Sequence, residues 1–371
     1  MRITDVQASA LAVPLQPPTP PSPWSAWWPK QVIVRVFTDA GWVGLGEAFP
    51  YGAPLAVCNV VEEGLAPLLR DQDPRRIEYL ADLMQRAAMN YGRRGLGMFA
   101  ISGVEIALWD LLGKLHQAPV YELLGGAVRT RFEAYASLMR YDTPADVATA
   151  CRTYVGRGYR LLKLHQTDVG SVQAARDAVG PDIGLMLDTN CPWSPAEALA
   201  MARALEPYQL AWLEEPVWPP EDFRGLAEVT RSSPIPIAAG ENEATVFGFR
   251  ELVAHRAVSI LQPSICKVGG IGEFRKVAAL AEAANLRLVP HAFYLGPALA
   301  ATLHVAATLG ASPPIEVATG EYAASFLVEP LAVRDGWIEV PAGPGLGVEV
   351  SPEAFERYPY QAAQAQPFLL R

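Results

Sequence analysis

The sequence predicts an α/β protein: a closed β/α barrel with an α+β domain formed by the N-terminal region and completed by the C-terminal segment. Three observations carry this. Between residues 129 and 319, eight short apolar, β-rich runs alternate with amphipathic helical stretches. Alternation implies a parallel sheet, and eight units imply closure. Residues 1–128 have another texture, strands first and helices after. The chain's 371 residues are too many for one ordinary core and about right for a barrel plus a second unit.

In the first region, "RITDVQASALAV" and "KQVIVRVFTDAGWVGLGEA" read as meander strands, with a turn at Asp39-Ala40-Gly41. Between them, "PLQPPTPPSPWSAWWPK" holds too many prolines for regular structure, so it is a long loop carrying Trp24, Trp27 and Trp28. Residues 75–124 are helical in pattern and stop at Gly125-Gly126.

The barrel strands are "RFEAYASL", "RLLKLHQ", "GLMLDTN", "QLAWLEEP", "PIPIAAGEN", "AVSILQPS", "RLVPHAF" and "PIEVA". A doubly wound open sheet is the alternative, but no Gly-rich phosphate loop follows any strand. Residues 320–371, with "GWIEVPAGPGLGVEV", read as β returning to the first domain.

Composition narrows the function. The chain is 51% hydrophobic, carries a net charge of −9 and lacks a dense basic cluster, which disfavours nucleic-acid binding. No window of the sequence reaches 18 uninterrupted apolar residues and its first residues hold no export-type apolar run, so the expectation is a cytoplasmic protein without a membrane partner. Its four cysteines show no CxxC spacing and suggest no disulfide framework. A homo-oligomer is expected.

In "RLLKLHQ", Lys163 and His165 interrupt an apolar strand on the same face. Burying both without partners would cost several kcal/mol, so either they reach solvent or that face lines a polar site. Lys163, Asp188, Glu214, Glu241, Ser264, His291 and Glu316 follow at gaps of 25, 26, 27, 23, 27 and 25, each closing an apolar run. Such spacing places them on the C-terminal rim of the barrel, where active sites lie. Asp188, Glu214 and Glu241 come from three successive strands and would repel without a cation. All-oxygen ligation suits Mg²⁺, with Mn²⁺ possible, and the absence of His or Cys argues against zinc. Lys163 and His165 on one side and His291 on the other supply candidate bases. That arrangement suits removal of a proton alpha to a carboxylate, through an enediolate.

These stretches together resemble the enolase superfamily: "LMLDTN", "WLEEP" and "AAGEN" its metal-ligand strands, "GWVGLGEA" and "ALWDLLGK…PVYELLGG" its capping domain. "PHAF" with His291 points to the mandelate racemase subgroup. The resemblance implies a TIM-type barrel with Asp188, Glu214 and Glu241 as Mg²⁺ ligands and Asn190 and Glu215 behind them. It implies Glu316 as a hydrogen-bond donor to the substrate carboxylate. The Trp24 loop and "FPYGA", with Tyr51, would close the site, and Lys30 is the nearby cation. The sequence also departs from the subgroup. The usual Lys-x-Lys of strand two is Lys163-Leu164-His165, and Ser264 stands where an Asp pairs the strand-seven histidine. His165 is then the base, Lys163 neutralises the substrate carboxylate, and His291 is the weaker base. Lys267 falls out of phase with Ser264's inward face.

The resulting expectation is a Mg²⁺-dependent lyase acting on a small carboxylic acid, dehydrating an acid sugar or related hydroxy acid. A racemase, an epimerase or a lactone cycloisomerase is the alternative. A Schiff-base aldolase on Lys163 and a non-catalytic relative are more remote. His116, His255 and His304 are expected to be structural, and Glu243 and Glu321 solvated.

Overall fold

The computed structural model describes residues 1–16, 20–26 and 30–364. Strands β1 (Ile3–Ala12), β2 (Lys30–Thr38) and β3 (Val43–Ala48) form an antiparallel meander in that order. Helical chain follows over 54–69, where no helix was expected, then at Ile77–Ala87 and Leu96–His116. The last helix is long and apolar enough by composition to cross a membrane, yet 78% of its apolar window is buried inside the fold. It lies directly on β3, which explains the glycines of "GWVGLGEA". A Cβ at Gly44 or Gly46 would sit 2.1 Å from the carbonyl oxygen of Ala107 or Gly103.

Eight barrel strands follow: β4 (Arg131–Ser137), β5 (Leu161–Leu164), β6 (Gly184–Asp188), β7 (Leu213–Glu214), β8 (Ile237–Ala239), β9 (Ile260–Leu261), β10 (Arg287–Leu288) and β11 (Ile315–Ala318). β4 through β10 pair in parallel in chain order, and β11 returns to pair with β4. Between β10 and β11 the link includes a side chain: Ala292 N donates to the Glu316 carboxylate at 2.7 Å. Each strand coincides with one of the eight predicted runs.

Strand period two builds the barrel interior in tiers. Tyr135, Met186, Trp212, Ala238, Ile260 and Val289 pack as one apolar cluster. Two residues further along the same strands stand Ser137, Asp188, Glu214, Gly240, Gln262 and His291. An apolar floor therefore carries a polar tier at the C-terminal mouth. On the outside, helices begin with side-chain caps at Thr143, Asp168, Ser194 and Asp222.

The C-terminal segment meets the first domain twice, with a visit to the barrel between. Phe326 and Leu327, and later Val350 and Ala354, share a core with Leu11, Val13, Ile33 and Leu45 of the meander. Between them, strand β13 (Trp337–Glu339), hairpin partner of β12 (Val333–Arg334), pairs antiparallel with β4. Two buried carboxylates fasten meander and helix to the barrel at helix N-termini, where the dipole favours anions. Glu47 accepts from Ala298 N at 2.9 Å, and Glu105 from Ile271 N and Gly272 N at 2.7 and 2.8 Å.

Candidate active site

At the barrel mouth, Asp188, Glu214 and Glu241 each offer an oxygen, and these lie within 4.8 Å of one another, all buried. The basic groups that surround them are explicit. Lys163 Nζ lies 3.3 Å from Asp188, 2.8 Å from Glu214 and 2.7 Å from Glu316. Lys267 Nζ is 3.2 Å from Glu241. His165 Nε2 lies 3.3 Å from Asp188, and His291 Nε2 lies 3.0 Å from Glu241. Burial pushes every one of these carboxyls toward the neutral form, and neighbours decide the outcome. At Asp188, Lys163 leads the neighbours that outweigh burial and hold the acid below its ordinary range. At Glu241, His291 and Lys267 do the same. At Glu214, burial and the adjoining carboxylates win despite Lys163, and the acid is raised well above normal. Glu215, behind the trio, is pushed up to about 7 by burial and by Glu241. Its oxygens accept from Gly240 N at 3.0 Å and Cys191 Sγ at 3.1 Å.

Five buried carboxyl groups thus face two ammonium groups among the described residues, and burial together with this shortage of positive charge pushes Glu214 and Glu215 toward the neutral form. The donor set is all oxygen and converges on one point, which fits a hard divalent cation.

His165 follows β5 and is fixed from three directions. Its Nδ1 meets the carbonyl of Leu138. A carbonyl only accepts, so Nδ1 carries the proton and, in the neutral ring, Nε2 carries the lone pair. Trp24 lies against the ring, with centroids 4.7 Å apart, and Phe293 meets it edge-on at 5.6 Å. Arg140 Nε donates to the His165 carbonyl at 2.8 Å, and its guanidinium faces Trp24. Ser22 ties the same arginine to the Trp24 loop through the Arg140 carbonyl at 2.6 Å. Sequence reasoning missed Arg140, because a rim arginine one strand away carries no periodic signal.

His291 sits at the other end of the trio. Ser264 does not orient it: the Ser264 hydroxyl pairs with Tyr294 Oη at 3.0 Å, and Tyr294 donates to the His291 carbonyl at 2.8 Å. The buried His291 Nδ1 has no hydrogen-bond partner among the described residues.

A cavity of about 110 Å³ opens over the trio. His165, Asp188, Asn190, Glu241, Asn242, Lys267 and His291 form its polar side, and Trp24, Phe49, Tyr51, Phe99 and Phe293 its aromatic side. Asn190 is held with positive φ, its N–H on Asp188 at 3.0 Å, and its buried Oδ1 has no partner among the described residues. Tyr51 lines the cavity and donates to the Phe293 carbonyl at 3.1 Å.

Several expectations need correction. Lys163 is fully buried beneath the cavity and does not line it. Burial disfavours its charge, but Glu214 and Glu316 more than compensate and hold the ammonium well above its usual range. Glu316 is no donor: Ser137 Oγ and Lys163 occupy one oxygen at 2.7 Å each and Ala292 N the other. Despite burial, Lys163 and His291 keep it ionised, below its normal range. Lys30 lies at the start of β2, with its Nζ 5.4 Å from the Tyr360 ring centre, away from the cavity. Lys267 does face the site. Glu243 is buried, 2.9 Å from Arg94, rather than solvated; Glu321 is exposed. Trp27 and Trp28 lie outside the described residues.

Comparison with known proteins agrees with this architecture. Residues 5–125 match the mandelate racemase / muconate lactonizing enzyme N-terminal domain, and residues 146–354 the enolase C-terminal domain-like family. The chain is 33% identical to D-galactarolactone cycloisomerase of Agrobacterium fabrum, covering 96% of this chain and 99% of that one. It is 35% identical to arabinonate dehydratase of Saccharolobus solfataricus, covering 88% and 90%. Among solved structures, a racemase from Streptomyces coelicolor with bound magnesium is 31% identical with a TM-score of 0.88, covering 96% of this chain and 100% of that one. With both domains matched and the carboxylate trio at the barrel mouth, the chain belongs to the mandelate racemase / muconate lactonizing enzyme family of the enolase superfamily.

Proposed function

We propose that this protein is a Mg²⁺-dependent enzyme that removes the proton alpha to a carboxylate and dehydrates an acid sugar or related small hydroxy acid. The observation that carries the reading is His165. Its Nδ1–H is committed to the Leu138 carbonyl, which leaves Nε2 as a basic lone pair at the cavity wall beside Asp188. Mg²⁺ held by Asp188, Glu214 and Glu241 would bind the substrate carboxylate and offset the second negative charge of the enediolate. His165 Nε2 takes the alpha-proton. His291, protonated, gives its proton to the departing beta-hydroxyl, which leaves as water. The enol then tautomerises to a 2-keto acid, His165 passes its proton to solvent and His291 takes one up. Lys163 stands below as counter-ion to the carboxylates. Its ammonium is fixed by three of them, which speaks against a Schiff-base role. Trp24, packed at a tilt against His165, covers the base on one side.

Cycloisomerisation is the second reading, favoured by the near full-length similarity to a lactone cycloisomerase. The same proton is removed, but a ring oxygen leaves and stays in the molecule. The test is incubation with Mg²⁺ and a panel of aldonic acids, aldaric acids and their lactones, read by NMR and mass. Dehydration yields a keto acid lighter by one water, and cycloisomerisation yields an isomer of equal mass. No turnover of any member of the panel would refute the substrate class.

A further inference from the structure

We propose that Lys267 is the cation that receives the substrate's carboxylate at the mouth of the barrel. The inference rests on the reading above, that a carboxylic acid binds there with Mg²⁺.

Strand β9 ends at Leu261, and Ile265–Val268 forms a single helical turn whose first bond runs from Lys267 N to Ser264 O at 3.0 Å. The turn brings Lys267 up to the mouth. Its Nζ lies 3.2 Å from Glu241 Oε1 and 4.2 Å from the centre of the Phe49 ring. Lys267 is the one lysine or arginine among the described residues that line the cavity.

The two buried ammonium groups differ in what they keep when the trio is engaged. Lys163 has Glu316 at 2.7 Å, a counter-ion outside the trio. Lys267 has Glu241, which belongs to the trio and is shared with His291. Once Glu241 spends its charge on a dication, Lys267 is a nearly buried ammonium facing a ring and the cavity. A buried ammonium without an anion is costly, and a carboxylate entering the cavity supplies that anion. Phe49 tolerates the charge meanwhile, because a cation over an aromatic face is attracted to it. Metal and carboxylate binding are thereby linked through one side chain, and Lys267 faces the negative charge that grows on the carboxylate as the proton leaves.

The experiment is calorimetric titration of the intact protein with Mg²⁺, then of the Mg²⁺-loaded protein with oxalate, a planar dianion shaped like an enediolate. K267M is expected to bind Mg²⁺ as tightly as wild type or more so, because a cation beside Glu241 is gone. Its oxalate affinity is expected to fall about tenfold to a hundredfold, the range of a charge-assisted hydrogen bond. K267R, which keeps the charge, should retain most of the affinity. Oxalate binding unchanged in K267M overturns the proposal. So does a K267M protein that no longer binds Mg²⁺, since Lys267 would then shape the metal site rather than receive the ligand. A wild type that binds no Mg²⁺ overturns the functional reading first, and this inference with it.

Discussion

Replacing Lys163 by Met removes an ammonium that touches Glu316 at 2.7 Å, Glu214 at 2.8 Å and Asp188 at 3.3 Å, all buried. Each carboxylate keeps other donors: Ser137 and Ala292 for Glu316, Trp212 and Gln262 for Glu214, and the Asn190 N–H for Asp188. None keeps the full positive charge. Breaking a buried pair from one side costs about 3–5 kcal/mol, and the remaining donors place this case near the middle, at about 4. An unfolding entropy of about 0.8 kcal/mol/K for a chain of this size converts that into a fall in Tm of about 5 °C. Differential scanning calorimetry at pH 7.5 in chelator measures it. Saturating Mg²⁺ should recover part of the loss by serving Asp188 and Glu214, but Glu316 stays unpaired. An unchanged or raised Tm in chelator would refute the view that Lys163 holds the cluster together. An equal fall with and without Mg²⁺ would refute its link to the trio.

His165→Asn is expected to lower alpha-proton exchange by at least about a hundredfold, the lower range for a general base. His291→Asn should retain exchange and lose product, so equal exchange losses in the two variants would contradict the assigned roles. Treating the protein with a 2-keto acid and borohydride should leave Lys163 unmodified by mass spectrometry, because its ammonium is ion-paired. His304 is buried and its imidazolium disfavoured, with a pKa pushed down to about 4. Its neutral form contributes stability in full above pH 6.5, and this is lost as pH falls toward 4, roughly 3 kcal/mol in all. The cost of H304Q, measured by denaturant unfolding, should therefore be largest near pH 7 and shrink by that amount near pH 4. A cost independent of pH would show that His304 is not held neutral.

Period and spacing made the barrel and its trio legible. Residues that close successive apolar runs at nearly constant gaps must gather at one rim, and Asp188, Glu214 and Glu241 do. The errors arise where local period stops governing. Strand alternation carried past Leu261 puts Lys267 out of phase, whereas Ile265–Val268 is helical and restores the side chain to the mouth. Glu316 and Lys163 were both assigned to substrate. That they satisfy each other depends on closure of β11 against β4, with Glu316 opposite Tyr135 and Lys163 opposite Ser137, a distance in sequence that no local pattern encodes. Glu243 looked solvated because Arg94, its partner, comes from the other domain. The carboxylates Glu47 and Glu105 carried no signal either, since what they cap are helices far along the chain.

The central claim is that the trio holds one Mg²⁺ and that removal of the alpha-proton depends on it. The direct measurement is deuterium incorporation from D₂O at Cα of an acid that the enzyme turns over, followed by NMR with Mg²⁺, after EDTA, and after Mg²⁺ is restored. Incorporation that is present with Mg²⁺, absent in EDTA and recovered on restoration is the predicted result. Undiminished incorporation or turnover in excess EDTA would contradict the account.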